Sequence, residues 1–566
     1  MAAEDGVKGA KRRRQNEGVA ADEGAAPQVE DAIITLRGPD GEQVGPPLKV
    51  PLASGPDNLE VLVNSLLDQA DEPRPYAFFI DAGSAAASAS ATSTRGSEIP
   101  LGGGDGAATL GEHLARHGVS LERLDVTFRP QAWFKVLPVS RCSASMEGHS
   151  ESVLCASFSP SGNQLASGSG DTTVRLWDLH TQTPLRECRR HTDWVTALAW
   201  APDNGAVASG AMDGLVCIWD PDPAAPSSSK EGDGGESGKG GGLGADGPRL
   251  SMRGHTECVT ALAWEPAHLP GALPSRRVCS SSRDKSLRVW DAVTGRCLFS
   301  LHGHKAPVTC VRWGGAETPE KGALFSSSRD CNINVWDPSR GTLLRQLRGH
   351  AHWVNTLALS TEHALRTGFF VTASHVGGAH KREAILPPPR NPAEATPEQW
   401  EALRLQALAQ YEAARGGQPE RLVSGSDDFT MFLWEPTGPG CSKKPIARMS
   451  GHKNLVNEAR FSPDGQFIAS ASFDKSVKLW RASNGAFVCS FFGHVGPVYQ
   501  VAWSADSRLL CSGSKDSTLK LWCVRTKKLK GDLPGHADEV FAVDWSESGT
   551  FVASGGRDRV LKLWRH

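Results

Sequence analysis

The chain has 566 residues, a formal net charge of −2 and a sequence pI near 6.8, so its overall balance provides no global pull toward nucleic acid or a membrane surface. Its 13 Cys include no C-x-x-C pair, which argues against zinc and against a secreted disulfide framework and favours a reducing compartment. No stretch approaches the roughly 18 apolar residues of a membrane span, and the charged start lacks the apolar core of a signal peptide.

Residues 1–28 are rich in Ala, Glu, Gly and Lys and poor in large apolar residues, the composition of a disordered tail. Lys11-Arg12-Arg13-Arg14 within it is a basic cluster of the nuclear-localisation kind, or simply solvated charge. A small domain is expected over 30–131. Ala32–Leu36 and Leu48–Pro51 flank a Gly/Pro-rich turn as a hairpin, and Leu59, Leu62, Val63, Leu66 and Leu67 follow helical spacing after an Asp57 or Asn58 cap. Tyr76–Ile80 form a strand, Leu110–His117 a short helix and Leu124–Phe128 a last strand. That order fits a ubiquitin-like β-grasp (α+β) domain.

From residue 132 to 566 one pattern dominates. Trp177, Trp219, Trp290, Trp336, Trp434, Trp480, Trp522 and Trp564 are each preceded by an Asp at six residues and a Ser at ten, with a His earlier in every unit. The first unit is His149, Ser167, Asp171 and Trp177; the seventh is His494, Ser512, Asp516 and Trp522. The compact units repeat every 42 residues, within the roughly 40 to 45 of a WD40 blade. The expected fold is therefore all-β, an eight-bladed WD40 β-propeller behind the small N-terminal domain. In each blade the Asp can hold the His while the Ser hydroxyl joins that His to the Trp indole, so every buried polar group has a partner. Ser, His and Asp also form catalytic triads, but eight copies beside a Trp suit a structural tetrad.

The last blade ends after its third strand at His566, and Phe134–Val139 can supply the missing fourth and close the ring. Insertions break the period at 221–249, a Gly/Ser/Asp-rich linker, at 265–276, and at 361–419. In the last, Thr396-Pro397-Glu398-Gln399 is a capping box opening a helix whose apolar stripe is Trp400, Leu403, Ala407 and Tyr411. That helix either packs on its own propeller or offers itself to a partner.

Catalytic signatures are missing: Gly238-Lys239-Gly240 is no phosphate loop, and H-E-x-x-H and a nucleophile elbow do not occur. A binding protein without cofactor, resident metal or small-molecule substrate is expected. The residue before the tetrad Asp is basic in four units (Arg283, Arg329, Lys515, Arg557), and Trp194 and Trp353 stand three residues past their His. Cations and aromatics on one rim suit RNA or ribonucleoprotein, or else an ordinary solvated rim.

Ser167–Arg175, Leu359–Gly368, Arg421–Thr430 and Leu533–Val540 resemble the Notchless family of WD40 ribosome-assembly factors, a resemblance running from about residue 30 to 566. It implies a nuclear and nucleolar factor on the pre-ribosomal large subunit, in contact with ribosomal proteins and rRNA. It also implies that the metal-dependent adhesion site of midasin, a giant AAA+ ATPase, grips the ubiquitin-like domain. There one carboxylate of this chain would complete the octahedron of a partner-held Mg²⁺. Glu122 matches the family's ligand, one position nearer the last strand than the family pattern, with Asp125 and Glu112 as alternatives. The other class to consider is a WD40 substrate receptor of a ubiquitin ligase, or a signalling scaffold. No unit carries the W-D-x-R of cullin-type receptors; Trp177-Asp178-Leu179-His180 and Trp336-Asp337-Pro338-Ser339 are near misses.

Overall fold

The structure, a computed structural model, describes residues 31–38, 42–67, 76–81, 98–100, 109–111, 114, 124–130, 136–221, 247–274, 276–315, 322–370, 396–437 and 441–566. The basic cluster at 11–14, the bulk of the 221–249 linker and most of the Leu110–His117 segment lie outside them.

The N-terminal unit is a five-stranded sheet in the order β2-β1-β5-β3-β4, from β1 (Asp31–Arg37), β2 (Leu48–Pro51), β3 (Tyr76–Asp81), β4 (Glu98–Pro100) and β5 (Leu124–Pro130). β1 and β5 run parallel at its centre, and the other pairs are antiparallel. One helix, Pro56–Leu66, follows the hairpin and buries Leu59 and Val63 against Ile34, Phe78, Val126 and Phe128. Its N-cap falls two residues before Asp57 and three before Asn58, the expected caps. Gly55 is the N-cap, and Pro56 sits in the first turn, where the missing N–H is no loss.

The rest of the chain forms eight four-stranded antiparallel sheets, the blades. Blade 1 follows β6 (Arg141–Met146) and consists of β7 (Val153–Phe158), β8 (Gln164–Ser169), β9 (Thr173–Asp178) and β10 (Thr183–Arg189), with β7 innermost. Every inner strand begins with a bulged Val: Val153, Val195, Val259, Val308, Val354, Val456, Val498 and Val540. The bulge sharpens the local twist and aims the Val at the preceding blade. At Gly168 an added Cβ would lie 2.7 Å from Val195, and at Gly555 2.5 Å from Val153, so glycine is what lets those blades close up.

The ring closes by a strand from before the first repeat. β6 pairs antiparallel with the last strand, Leu561–Arg565, in the register Met146 to Leu561 and Arg141 to Arg565. The closing strand is thus not Phe134–Val139 but the segment seven residues later. Gly148-His149 must follow the strand at once to reach the first tetrad, which fixes the end of the strand at Met146. The apolar Val136 and Val139 instead pack into the core of blades 7 and 8, with the Val136 N–H donating to Asp506 at 2.8 Å.

Among the described residues the largest insertion holds two helices. Pro397–Arg415 has the capping box at Thr396 and Gln399, and buries Leu403, Ala407 and Tyr411. Leu403 and Ala407 pack with Phe369 and Ala267, and Tyr411 stacks on His268 with ring centroids 4.1 Å apart. The lengthened blade 3 loop is the bed for this helix, which settles it on its own propeller.

The other helix, Glu362–Thr367, leaves the end of the blade 5 inner strand and crosses the central channel. Arg366 donates to both carboxylate oxygens of Asp544 in blade 8 at 2.8 and 2.7 Å and pairs with Glu547 at 3.2 Å, while Glu362 pairs with Arg312 of blade 4. Gly368, at φ 60°, presses on the Pro202 carbonyl of blade 2, where a Cβ would sit 2.5 Å away. Blades 2 and 8 lie across the ring from blade 5, so the helix closes the channel on the face where inner strands end. Burial and the adjacent Arg366 push the His363 imidazole down to about 4.

Arg366→Ala leaves Asp544 and Glu547 buried without their cation and is expected to cost about 3–5 kcal/mol; urea unfolding measures it. Because the folded pKa of His363 is depressed, its contribution is complete above the unfolded value of about 6.5 and is lost as pH falls through about 4. The drop in melting temperature caused by His363→Gln is therefore largest at pH 7.5 and shrinks by pH 4.5.

Candidate binding surface of the propeller

All eight His, Ser, Asp and Trp sets are joined in space. His Nδ1 lies 2.8–3.2 Å from the Asp carboxylate. Nε2 lies 2.7–2.8 Å from the Ser hydroxyl. The Trp indole donates to that hydroxyl at 2.7–2.9 Å. An indole can only donate, so the Ser oxygen accepts from Trp and gives its own proton to Nε2, leaving Nδ1–H to donate to Asp. Each hydroxyl is buried and committed at both ends, and none of these serines is placed to attack a substrate.

The Asp also organises the turn. Asp171 accepts from the Ser150 N–H at 3.0 Å and from the Thr173 N–H at 2.9 Å. Burial alone would raise these carboxyls, but the hydrogen bond from His304 and its neighbours outweighs burial at Asp330 and holds it at about 2. The residue after each Asp has φ between 62° and 75° (Thr172, Gly214, Lys285, Cys331, Phe429, Lys475, Ser517 and Arg559). A left-handed backbone costs a non-glycine residue roughly 1–2 kcal/mol, which the Asp-capped turn sustains seven times, the eighth position being Gly214. Lys285, Phe429, Lys475 and Arg559 are consequently exposed on the tetrad face. Sequence reasoning took the position before the Asp and missed the one after it, although the fixed register marks both.

The rim residues fall into separate groups. The Arg329 guanidinium lies 4.3 Å from the Trp353 ring centroid of the next blade, and Trp353 is 40% exposed. Trp194, 51% exposed, lies beside the blade 1 turn at Gly170. Lys515 pairs with Glu539 at 3.3 Å, and Arg557 reaches Asp538 and Glu539 at 3.7 Å. Glu539 also accepts from the Tyr499 hydroxyl, so two of the four cations are locally balanced. Arg283 is exposed on blade 3. In the N-terminal unit Asp125 is tied to Arg37 across β5 and β1 at 3.1 Å; Glu122 and Glu112 lie outside the described residues.

The chain matches the family "WD domain, G-beta repeat" at 140–178, 182–220, 247–291, 295–337, 443–481, 485–523 and 527–565, every blade but the one split by the insertion. It matches the "NLE (NUC135) domain" at 33–85. It is 47% identical over 462 residues to the "Notchless protein homolog" of Arabidopsis thaliana, covering 81% of this chain and 82% of that one. The chain belongs to the Notchless family. Its Notchless relatives include the "Protein Notchless" of Drosophila melanogaster, 41% identical over 75% of this chain and 73% of that one. The "Ribosome assembly protein 4" of Saccharomyces cerevisiae is 41% identical over 80% and 78%. Among solved structures, the computationally designed Ika8 protein superposes with a TM-score of 0.52 at 24% identity, covering 75% of this chain and all of that one, a likeness of fold alone.

Ser470→Ala strands the Trp480 indole and His452 Nε2 together and is expected to destabilise this Notchless-family propeller by about 1–3 kcal/mol per orphaned group. Chemical unfolding gives the value, and a change below 0.5 kcal/mol would contradict the network.

Proposed function

We propose that this protein is a non-enzymatic assembly factor for the large ribosomal subunit, acting in the nucleus and nucleolus. The observation that carries this reading is the 41% identity to the yeast "Ribosome assembly protein 4" over 80% of the chain. In this reading the propeller binds ribosomal proteins and rRNA of the precursor, with the stacked Arg329–Trp353 pair, Trp194 and Arg283 available on the tetrad face and Lys515 and Arg557 already partly neutralised. Loss of pre-ribosome co-sedimentation on reversing Arg283 and Arg329, with unchanged melting temperature, tests that part.

The N-terminal domain, read as ubiquitin-like, is the handle for a midasin-type AAA+ ATPase, whose metal-dependent adhesion site holds the Mg²⁺. A hard cation of that kind seeks an oxygen ligand, which a carboxylate provides. Asp125 is already engaged by Arg37, which favours Glu122, two residues before β5. This chain contributes the ligand and transmits force, while ATP is hydrolysed by the partner. Glu122→Ala is expected to abolish Mg²⁺-dependent pull-down of midasin while leaving the protein folded and pre-ribosome-bound. Retention of midasin at full strength refutes the assignment.

A further inference from the structure

The charge of the chain is segregated around the ring. Residues 443–566 carry 19 Lys and Arg against 11 Asp and Glu, a net +8, whereas the whole chain is −2. At the surface the excess is larger, because many of those carboxylates are engaged. Asp474, Asp516 and Asp558 serve tetrads, and Asp544 and Glu547 hold Arg366. The residue after each tetrad Trp follows the same polarity: Asp178, Asp220, Asp291 and Asp337 in blades 1–4, then Glu435, Arg481, Cys523 and Arg565 in blades 5–8.

On the outer edge of blades 6 and 7 the cations meet exposed aromatics. The outer hairpin of blade 7 reads Arg525-Thr526-Lys527-Lys528-Leu529-Lys530 and leads into the edge strand Lys528–Pro534, with Arg525, Lys528 and Lys530 exposed. The edge strand of blade 6, Phe487–Phe492, bears no charge and leaves Phe492 73% and Phe487 55% exposed. The Lys478 ammonium sits between those rings, 5.6 and 5.7 Å from their centroids. Phe491 of that strand packs on Trp522 of blade 7 with ring centroids 5.2 Å apart, and Val488 and Cys489 share a cluster with Val524, the residue before Arg525, so the aromatic strand and the basic hairpin adjoin. Soluble sheets blunt a free edge with charge, as blade 1 does with Arg186 and Glu187 and blade 4 with Arg345 and Arg348. An uncharged aromatic edge left in place marks a contact surface.

We propose that the outer edge of blades 6 and 7 binds single-stranded RNA, with Arg525, Lys528 and Lys530 on phosphates and Phe487 and Phe492 as stacking platforms for bases. Long cationic side chains beside flat aromatic faces follow a polyanion and accept any base. A protein strand added to the blade 6 edge would use the aromatics but leave the blade 7 cations unneutralised. The inference rests on the assembly-factor reading and deepens it by adding a second RNA contact, on the ring's side, to the one on the tetrad face.

The test is fluorescence anisotropy of the purified full-length chain with a labelled 20-nucleotide oligouridylate between 50 and 200 mM salt. The triple variant Arg525→Glu, Lys528→Glu, Lys530→Glu is expected to bind at least 30-fold more weakly, with a log–log salt slope shallower by about 2. Phe492→Ala, at a position too exposed to matter for folding, is expected to weaken binding about 10-fold with the slope unchanged. Arg340→Glu, at the exposed outer hairpin of blade 4, stays within twofold of wild type. Absence of binding at 50 mM salt, equal affinity of the triple variant, or a 20-residue polyglutamate bound more tightly than the RNA each overturns the proposal. Co-sedimentation of wild type with large-subunit precursors separates the two readings. If it persists without oligouridylate binding, the assembly role stands and this surface falls; if it is lost as well, both fall.

Discussion

The ladder between β6 and Leu561–Arg565 is the constraint on which the propeller depends. Without it blade 8 would end on an open edge, and the row of blades would be a solenoid with two ends rather than a ring. The tetrads make each blade a self-consistent unit, but they do not join blades. That is done by the bulged valines seated against the neighbouring sheet, and the set is complete only when Val153 of blade 1 meets Gly555 of blade 8. Closure also sets the reach of the channel helix, because Asp544, in the inner strand of the sheet that β6 completes, and Glu547, in the turn after that strand, receive Arg366.

Much of this was legible in sequence where the partners are close along the chain. In the compact blades His, Ser and Asp of one tetrad lie within 18 to 22 residues, so spacing alone identifies them. The capping box at Thr396 is equally local. The channel helix was not foreseen, because Arg366 finds Asp544 178 residues away and nothing near Arg366 announces a buried carboxylate. The closing strand was misplaced because Phe134–Val139 has strand-like apolarity, while the register that excludes it is set by Gly148-His149 downstream. The pairing of Lys515 with Glu539 of the next blade depends on inter-blade geometry that periodicity does not encode.

The two faces of the ring are unequal in consequence. On the face where inner strands end, the helix Glu362–Thr367 fills the channel with ion pairs to blades 4 and 8. The tetrad face keeps its open turns, with left-handed residues such as Phe429 and Lys475 projecting from it.

The anchored stretch after the N-terminal sheet has a mechanical consequence. Tension applied through that sheet arrives at the Arg141 end of β6, where an antiparallel ladder would peel open one pair at a time. Before it can do so, the load must pull Val136 and Val139 out of the blade 7–8 core and break the Val136 bond to Asp506. Those residues form a strain relief: a tug on the appendage is borne first by buried side chains, and the toroid's seam is spared.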